Sequence, residues 1–344
     1  MAGSISVGGK VIATHTGPKG AGTVDLDVNS FKIGGTEVMN KNNLHSGGIE
    51  ETYTENGITY RVHTFYNSGD FICVSDLNVD VFMLGGGGGG GCGYYSGGGG
   101  AGGAIYRKNM SLTAQSYSLV IGSGGAGSLN TALRGSMGSN TTGFGMTAVG
   151  GGGGGSRSGE RNGGDGGCAG GASYENTIGG ITLQLTWDGI SAESNTYGIG
   201  NGTPNNATPD YGTGGAGLGS SPLLPGAYIW GSHGSHGGYG IQEGSTITVN
   251  SQSMTFSING KRQWFGAGGN GGSQNRDFPR VNGIGGTGSV HDNPGIWSSP
   301  GIDSTGSGGG GGGGIESTTQ TSYLTSIYPG KEGGSGIIII RYVL

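Results

Sequence analysis

Charge is scarce in this chain. Lys and Arg number 16 and Asp and Glu 21, so that only 11% of 344 residues are charged and the net charge is −5. The cations are scattered, and no concentrated basic face of the kind that binds nucleic acid is expected. Proline is limited to 9 residues and no Gly-X-Y period runs through the sequence, which excludes a collagen-like rod. The cysteines Cys73, Cys92 and Cys168 form no CxxC pair and have no histidine at metal-ligand spacing. Neither a zinc site nor a disulfide framework is expected, and the three read as small buried thiols. No apolar run approaches the ~20 residues that span a bilayer, so no membrane insertion is expected. The opening MAGSISVGGK lacks the charged-then-apolar order of a secretory signal, and export by that route is not expected. Amphipathic helix patterning is nearly absent too.

Glycine is what fills the space, at 89 residues. Such a composition without a period is common in disordered chains. Disorder also brings high charge and few aromatics. Here there are 15 Tyr, 8 Phe and 4 Trp, and a solvated linker has no use for Trp187, Trp230, Trp264 and Trp297. An ordered structure is expected.

Strand candidates are short and frequent. They are VIATH (11–15), TVDLDV (23–28), SFKIG (30–34), ITYRVHTFY (58–66) and two within FICVSDLNVDVFML (71–84). Later come YSLVIG (117–122), GITLQLTW (180–187), STITV (245–249), MTFSI (254–258) and IIIIRYVL (337–344). Between them lie irregularly spaced glycine tracts at 85–91, 97–103, 122–127, 150–155, 163–171, 212–219, 266–272, 283–288, 308–314 and 333–336. The spacing is wrong for a solenoid repeat but natural for rods joined by loops of different length.

A seven-glycine stretch is poor as helix and as strand, because ordering glycine costs the most backbone entropy and offers no side chain to pack. Polyproline II geometry remains, with ~3 residues per turn and ~3.1 Å rise, so that seven residues span ~22 Å. Side by side, such rods can pair N–H groups with neighbouring carbonyls, leaving room only for glycine. The expected fold is therefore mainly irregular and all-β. It is a bundle of polyglycine (polyproline II-type) helices with short flanking β-strands and a small β-rich N-terminal segment. Gly88, Gly100, Gly125, Gly152 and Gly311 are expected in its backbone core, and strands are expected only as bookends. Ala101, Ala126, Ala169, Ala216 and Ala267 interrupt the tracts and are expected on outward or loosely packed edges.

No catalytic constellation emerges. No G-x-S-x-G sits between a strand and a helix, and GxGxxG-like strings arise by chance in so glycine-rich a chain without a βαβ unit. An enzyme, a cofactor and a metal are not expected. His233 and His236 have no third ligand nearby and read as loop residues. The inserts 187–212, 223–240 and 278–301 mix Trp or Tyr with Asn, Asp, Ser and His, a mixture suited to recognition. Capping of the glycine core is the competing role. Arg157, Glu160, Arg161 and Asp165 read as a solvated turn, with an anionic-glycan contact as the alternative.

The run GITYRVHTFYNSGDFICVSDLNVDVFMLGGGGGGG (57–91) resembles the lead-in of glycine-rich tail-fibre and receptor-binding adhesin proteins of tailed bacteriophages. The residues that carry it are His63, Thr64, Phe65, Ser68, Gly69, Phe71 and the strand from Val79 to Leu84. GGGGAGGAIYRKNMSLTAQSYSLVIGSGGAG (97–127), GFGMTAVGGGGGG (143–155) and GGSGIIIIRYVL (333–344) are similar to successive later blocks of that family. SFKIGGTEVMNKNNL (30–44) also resembles a short unit found upstream in phage fibres, although its middle, MNKNN, departs from the usual Asp-Ser-Ser-Arg-Asn.

The resemblance implies a virion protein, assembled in the host cytoplasm, that docks on other phage tail proteins and displays its glycine-rich part to a host cell-surface receptor. In related adhesins, rods form a sandwich and loops at one end contact the receptor. The expected organisation is a β-rich attachment or oligomerisation segment (1–50), a strand lead-in (51–84) and a glycine-rich domain (85–344) closed by strand 337–344. Residues 1–50 carry few large apolar side chains and are expected to order as a homotrimer or on another tail protein. The expected receptor anchors are Tyr197, Tyr211, Trp230, Tyr239, Arg276 and Trp297, on inserts gathered at the end away from residues 1–56. A purely structural appendage or filament subunit is the alternative. A eukaryotic receptor's glycine-rich domain is more distant, since it would bring a secretion signal and disulfides.

Overall fold

An unbroken apolar strand such as IIIIRYV has no side to give to water, and the chain buries it on both faces. In the computed structural model the described residues are 45–93, 95–173, 177–184, 212–218, 237–249, 252–272, 281–289, 297–315 and 326–344. The backbone of short strands at 3–7, 10–15, 30–33, 36–40 and 196–199 is described as well. Among these residues the fold is mainly β and irregular, with a single short 3-10 turn at Val281–Gly283.

The chain divides into two units, Met1–His45 and Ser46–Leu344. The first holds two antiparallel hairpins. One pairs β1 (Gly3–Val7) with β2 (Lys10–His15), and the other pairs β3 (Ser30–Ile33) with β4 (Thr36–Asn40). The candidate strand 23–28 lies outside the described residues.

The second unit is built on a six-stranded antiparallel sheet. Its strands are β5 (Ile49–Glu55), β6 (Ile58–Phe65), β8 (Leu77–Leu84), β9 (Ala104–Leu112), β13 (Thr196–Ile199) and β20 (Ile337–Val343), in the order β13-β9-β8-β20-β6-β5. The C-terminal strand thus sits in the middle. Successive side chains of a strand alternate between faces, and both faces of β20 are covered. Ile337 and Ile339 join Phe82, Leu84, Tyr106, Phe256 and Phe265 in one buried cluster. Ile338, Ile340 and Tyr342 join Phe65, Phe71, Val81, Met83 and Met146 in another.

The first cluster is closed by the chain around β14 (Ile241–Gln242), β15 (Thr246–Val249), β16 (Gln252–Thr255) and β17 (Trp264–Phe265). The second is closed by β7 (Gly69–Cys73), β10 (Gln115–Leu119), β11 (Thr141–Gly143) and β12 (Met146–Ala148). A last pair, β18 (Gly314–Ile315) with β19 (Ser326–Ile327), lies farther along.

The strands are therefore more than bookends, and hydrophobes contribute a core of their own. Within residues 51–84, β6 and β8 are the two partners of the C-terminal strand. The expected strand at 180–187 is absent from its described part. Residues 180–184 make one isolated bridge, Thr182 to Gly166, and otherwise pack as irregular chain.

Between the strands, the glycine segments carry no helix or ladder, yet their backbone groups are paired with a three-residue rhythm. The N–H groups of Gly85, Gly88 and Gly91 donate to the carbonyls of Gly103, Gly100 and Gly97. Those of Gly86 and Gly89 donate to Ser139 and Ser136, and those of Gly87 and Gly90 to Gly334 and Lys331. The carbonyls follow the same rhythm toward three further segments. Those of Gly86 and Gly89 accept from Gly151 and Gly154, those of Gly87 and Gly90 from Gly125 and Ser128, and those of Gly88 and Gly91 from Gly309 and Gly312. One segment thus meets six neighbours, and a Cβ anywhere along it would strike one of them. Built on Gly88, it would lie 2.1 Å from the Gly152 carbonyl oxygen.

Some of the partner segments fall outside the glycine tracts marked in the sequence, including Ser136–Ser139 and residues 328–332 just before the tract 333–336. The alanines also need correcting. Ala101, Ala169, Ala216 and Ala267 are fully buried, and Ala126 alone of the five is exposed. Ala101 and Ala216 stand with Cys168 in the first apolar cluster, and the Ala101 backbone donates to the Ala216 carbonyl and accepts from the Cys168 N–H. A methyl survives where a segment turns one residue in three toward the aromatic side chains under the sheet instead of toward another backbone.

Candidate functional site

Segments 85–91 and 97–103 start and stop at the sheet, since Leu84 ends β8 and Ala104 begins β9. Their other ends are joined by the loop 92–96, and that remote end is where connections without strand partners collect. Gly93 donates to the Tyr328 carbonyl, Arg157 to the Cys92 carbonyl and Ser158 to the Thr131 carbonyl, which brings 92–96, 128–134, 156–162 and 328 together.

Short polar side chains hold this end from beneath. Ser96 Oγ donates to the carbonyls of Gly91 (3.0 Å) and Gly312 (2.9 Å). Ser156 Oγ donates to Leu133 O and accepts from the Cys92 N–H, at 2.5 and 2.7 Å. Burial pushes the Cys92 thiol up to about 11, which favours the protonated thiol near neutral pH.

Above that floor the surface is mixed. Leu129 and Leu133 are exposed. Arg134 pairs with Glu160 at 3.5 Å, and the backbone N–H of Arg134 donates to the same carboxylate at 3.0 Å. That backbone bond comes first in holding the Glu160 carboxyl below its usual range. Trp297 stands edge-on to Tyr328 with ring centroids 4.7 Å apart, the Trp 57% exposed and the Tyr buried. Aromatic, aliphatic and charged groups on a rigid floor can make a docking surface. Among the described residues, no group of three His, Cys, Asp or Glu is placed to hold a metal ion.

A family model described as a glycine-rich domain matches residues 67–343. The chain belongs to this glycine-rich domain family. No curated protein matches it.

Within the glycine-rich domain, three of the expected anchors fall among the described residues, each on a different segment. Trp297 lies at the remote end. Tyr239 is exposed but belongs to the segment that enters β14. Tyr197 lies in β13, opposite Tyr106 of β9, in the sheet that also holds Ile49–Glu55. The short strand around Tyr197 is thus in the same sheet as residues 49–55, and residues 187–195 and 200–211 of its insert lie outside the described residues. Tyr211, Trp230 and Arg276, and with them His233 and His236, lie outside the described residues.

Gly100, Gly125, Gly152 and Gly311 of the glycine-rich domain resemble Gly88 in their surroundings. A Cβ on them would lie 2.3, 2.1, 2.0 and 2.6 Å from the carbonyl oxygens of Cys168, Ser136, Gly164 and Ser96. The three cysteines are buried. Sequence reading missed Arg134, Ser96 and Ser156, whose roles arise from segments distant in the chain. It also missed the buried Arg341, set in an apolar run that gives no hint of a charged partner.

Proposed function

We propose that the chain is a phage tail-fibre or adhesin protein of the virion, assembled in the host cytoplasm. It binds a host cell-surface receptor, a glycan or an outer-membrane protein, through loops on a glycine scaffold. The observation that carries this reading is the three-residue rhythm of backbone hydrogen bonds through Gly85–Gly91. Polyproline II geometry has about three residues per turn, so each peptide in three returns to the same neighbour. The rhythm supports a bundle of polyglycine helices. Because main-chain atoms hold the bundle together, its end loops can vary without touching what keeps it folded.

Tyr197, Tyr211, Trp230, Tyr239, Arg276 and Trp297 are the proposed anchors, since binding energy concentrates in a few aromatic and Arg side chains. The β-rich start of the chain is proposed to dock on other tail proteins or to form a homotrimer. The reading includes no catalytic step, cofactor or nucleic acid.

A purely structural appendage is the second reading. The edge-on contact of Trp297 with Tyr328 favours it, because that pair covers an end of the glycine network.

Adsorption of the purified protein to intact host cells separates the two. Under the adhesin reading, Trp297→Ala combined with Tyr239→Ala weakens adsorption tenfold or more, about 1.4 kcal/mol, with an unchanged melting curve. Lost folding identifies caps, and unchanged adsorption removes the adhesin reading.

A further inference from the structure

A second surface has the makings of a ligand site, away from the remote loops. The turn between β6 and β7 carries Tyr66 and Asn67, and it faces the start of the segment at Ile121–Ser123 across an open cleft of about 460 Å³. Asp303, Ser304 and Ser335 line the remaining wall. The volume lies within the ~300–1,000 Å³ typical of small-molecule clefts.

The walls are tied in place. Ser68 Oγ accepts the Ile121 N–H at 2.9 Å, joining the turn to the glycine segment. Asp303 Oδ1 accepts the Ser335 N–H at 3.2 Å, and Ser335 Oγ accepts the Ser304 N–H at 2.9 Å. Ser304 is held at φ 62, a left-handed conformation unusual for a residue with a side chain.

We propose that this cleft binds a neutral saccharide. Tyr66 is 40% exposed and supplies an amphipathic ring for the apolar face of a pyranose. A carboxylate offers about four lone-pair sites, so Asp303 keeps capacity for sugar hydroxyls after taking the Ser335 N–H, and Asn67 supplies both donors and acceptors. Among the described residues that line the cleft there is no Lys, Arg or His, and Asp303 is the one charged group. Sialylated, uronic or phosphorylated ligands would meet a like charge with nothing to offset it. A simple cation would have a single open carboxylate, a weak attraction in water. The site stands on its own geometry and goes beyond the adhesin reading.

The test applies the full-length protein to an array of neutral hexose, N-acetylhexosamine and deoxyhexose oligosaccharides alongside sialylated and uronic ones. Bound glycans are then titrated by calorimetry. A neutral oligosaccharide is expected to bind and to weaken at least tenfold in Tyr66→Ala and in Asp303→Asn, which keeps an acceptor for Ser335. Ile178→Ala, at an exposed position not among the cleft's lining residues, is expected to leave that binding unchanged, and melting curves verify folding of every variant. Absence of neutral binding, preference for acidic glycans, or neutral binding indifferent to Tyr66→Ala and Asp303→Asn would overturn the proposal. Cell adsorption of the wild type reports separately on the adhesin reading, so either can fail while the other stands.

Discussion

Arg341 and Asp80 face each other across β20 and β8, and the guanidinium Nη2 lies 2.5 Å from Asp80 Oδ2. The β8–β9 register shifts between Val79 and Val81, so Asp80 sits in a bulge, the device by which strands re-aim a side chain. Arg341 also donates to Tyr53 Oη at 2.7 Å and Ser257 Oγ at 3.1 Å, and it lies 4.6 Å above the Tyr60 ring. One buried cation thus joins β5, β6, β8, β20 and the chain that closes the first apolar cluster. Burial opposes its charge, but the bonds to Asp80 and Tyr53 hold its pKa above the usual range.

Breaking a buried pair from one side typically costs ~3–5 kcal/mol, because the remaining charge is left uncompensated. Arg341→Met is expected to lose stability of that order in urea denaturation. Arg341→Met with Asp80→Leu should recover part of it. A single variant as stable as the wild type would show that the pair is dispensable.

The glycine network predicts a sharp contrast between alanine substitutions. Gly88→Ala drives a methyl against the Gly152 carbonyl at 2.1 Å, whereas a Cβ on Gly69 meets nothing within 4 Å. Gly88→Ala and Gly311→Ala should abolish soluble folded protein, while Gly69→Ala should keep its melting temperature within a few degrees. Equal yields and equal protection from hydrogen exchange would contradict a backbone-packed core.

His63 is fully buried, with Nδ1 2.8 Å from Gly47 O and Nε2 3.1 Å from Tyr342 Oη. Burial lowers its pKa, against the Gly47 bond and the charge of Glu50 that raise it, with Arg61 adding to the lowering. The unfolded chain then binds the proton more readily. The His63 contribution to stability is complete above the unfolded value of about 6.5 and is lost as pH falls below it toward the folded value. His63→Gln should flatten the slope of unfolding free energy between pH 5 and 7, apart from any uniform loss.

Glu243 has the opposite sign. Its Oε1 accepts the backbone N–H groups of Ile258, Asn259 and Gly260 at 2.8, 3.2 and 3.1 Å, while Oε2 is buried without a partner. Burial raises the carboxyl pKa despite those bonds. Its folded form therefore holds a proton that the unfolded chain releases, and stability falls as pH rises from the ordinary Glu range through the raised value. Glu243→Gln keeps an acceptor and should remove this pH dependence at small cost. Glu243→Ala strands buried donors at ~1–3 kcal/mol each and should be clearly less stable than Glu243→Gln in denaturant.

Much of the fold is legible in the chain because the signals are local. IIIIRYV is a β-branched run that only a strand buried on two faces accommodates. A run such as Gly85–Gly91 is legible for a different reason. Its peptide groups must be paired when buried, and without side chains they can pair only with other backbones. The candidate functional residues are less legible. Trp297 stands out by type alone, but nothing near it in sequence announces Tyr328 as its neighbour.

The sequence by itself determined the mainly β and irregular class, the strand at the C-terminus and the long runs where a side chain has no room. Tertiary structure alone decided that β20 lies between β6 and β8, because antiparallel pairing of segments more than two hundred residues apart leaves no local trace. It decided that Ala101, Cys168 and Ala216 turn inward, since in a chain with a three-residue rhythm the neighbour, not the residue, sets which direction is open. It also decided that Ser136, Ser139 and Lys331 accept hydrogen bonds as glycines do, through carbonyls that every residue carries. Backbone pairing is blind to side-chain identity wherever the side chain points to solvent, and composition therefore marks only the segments enclosed on every side.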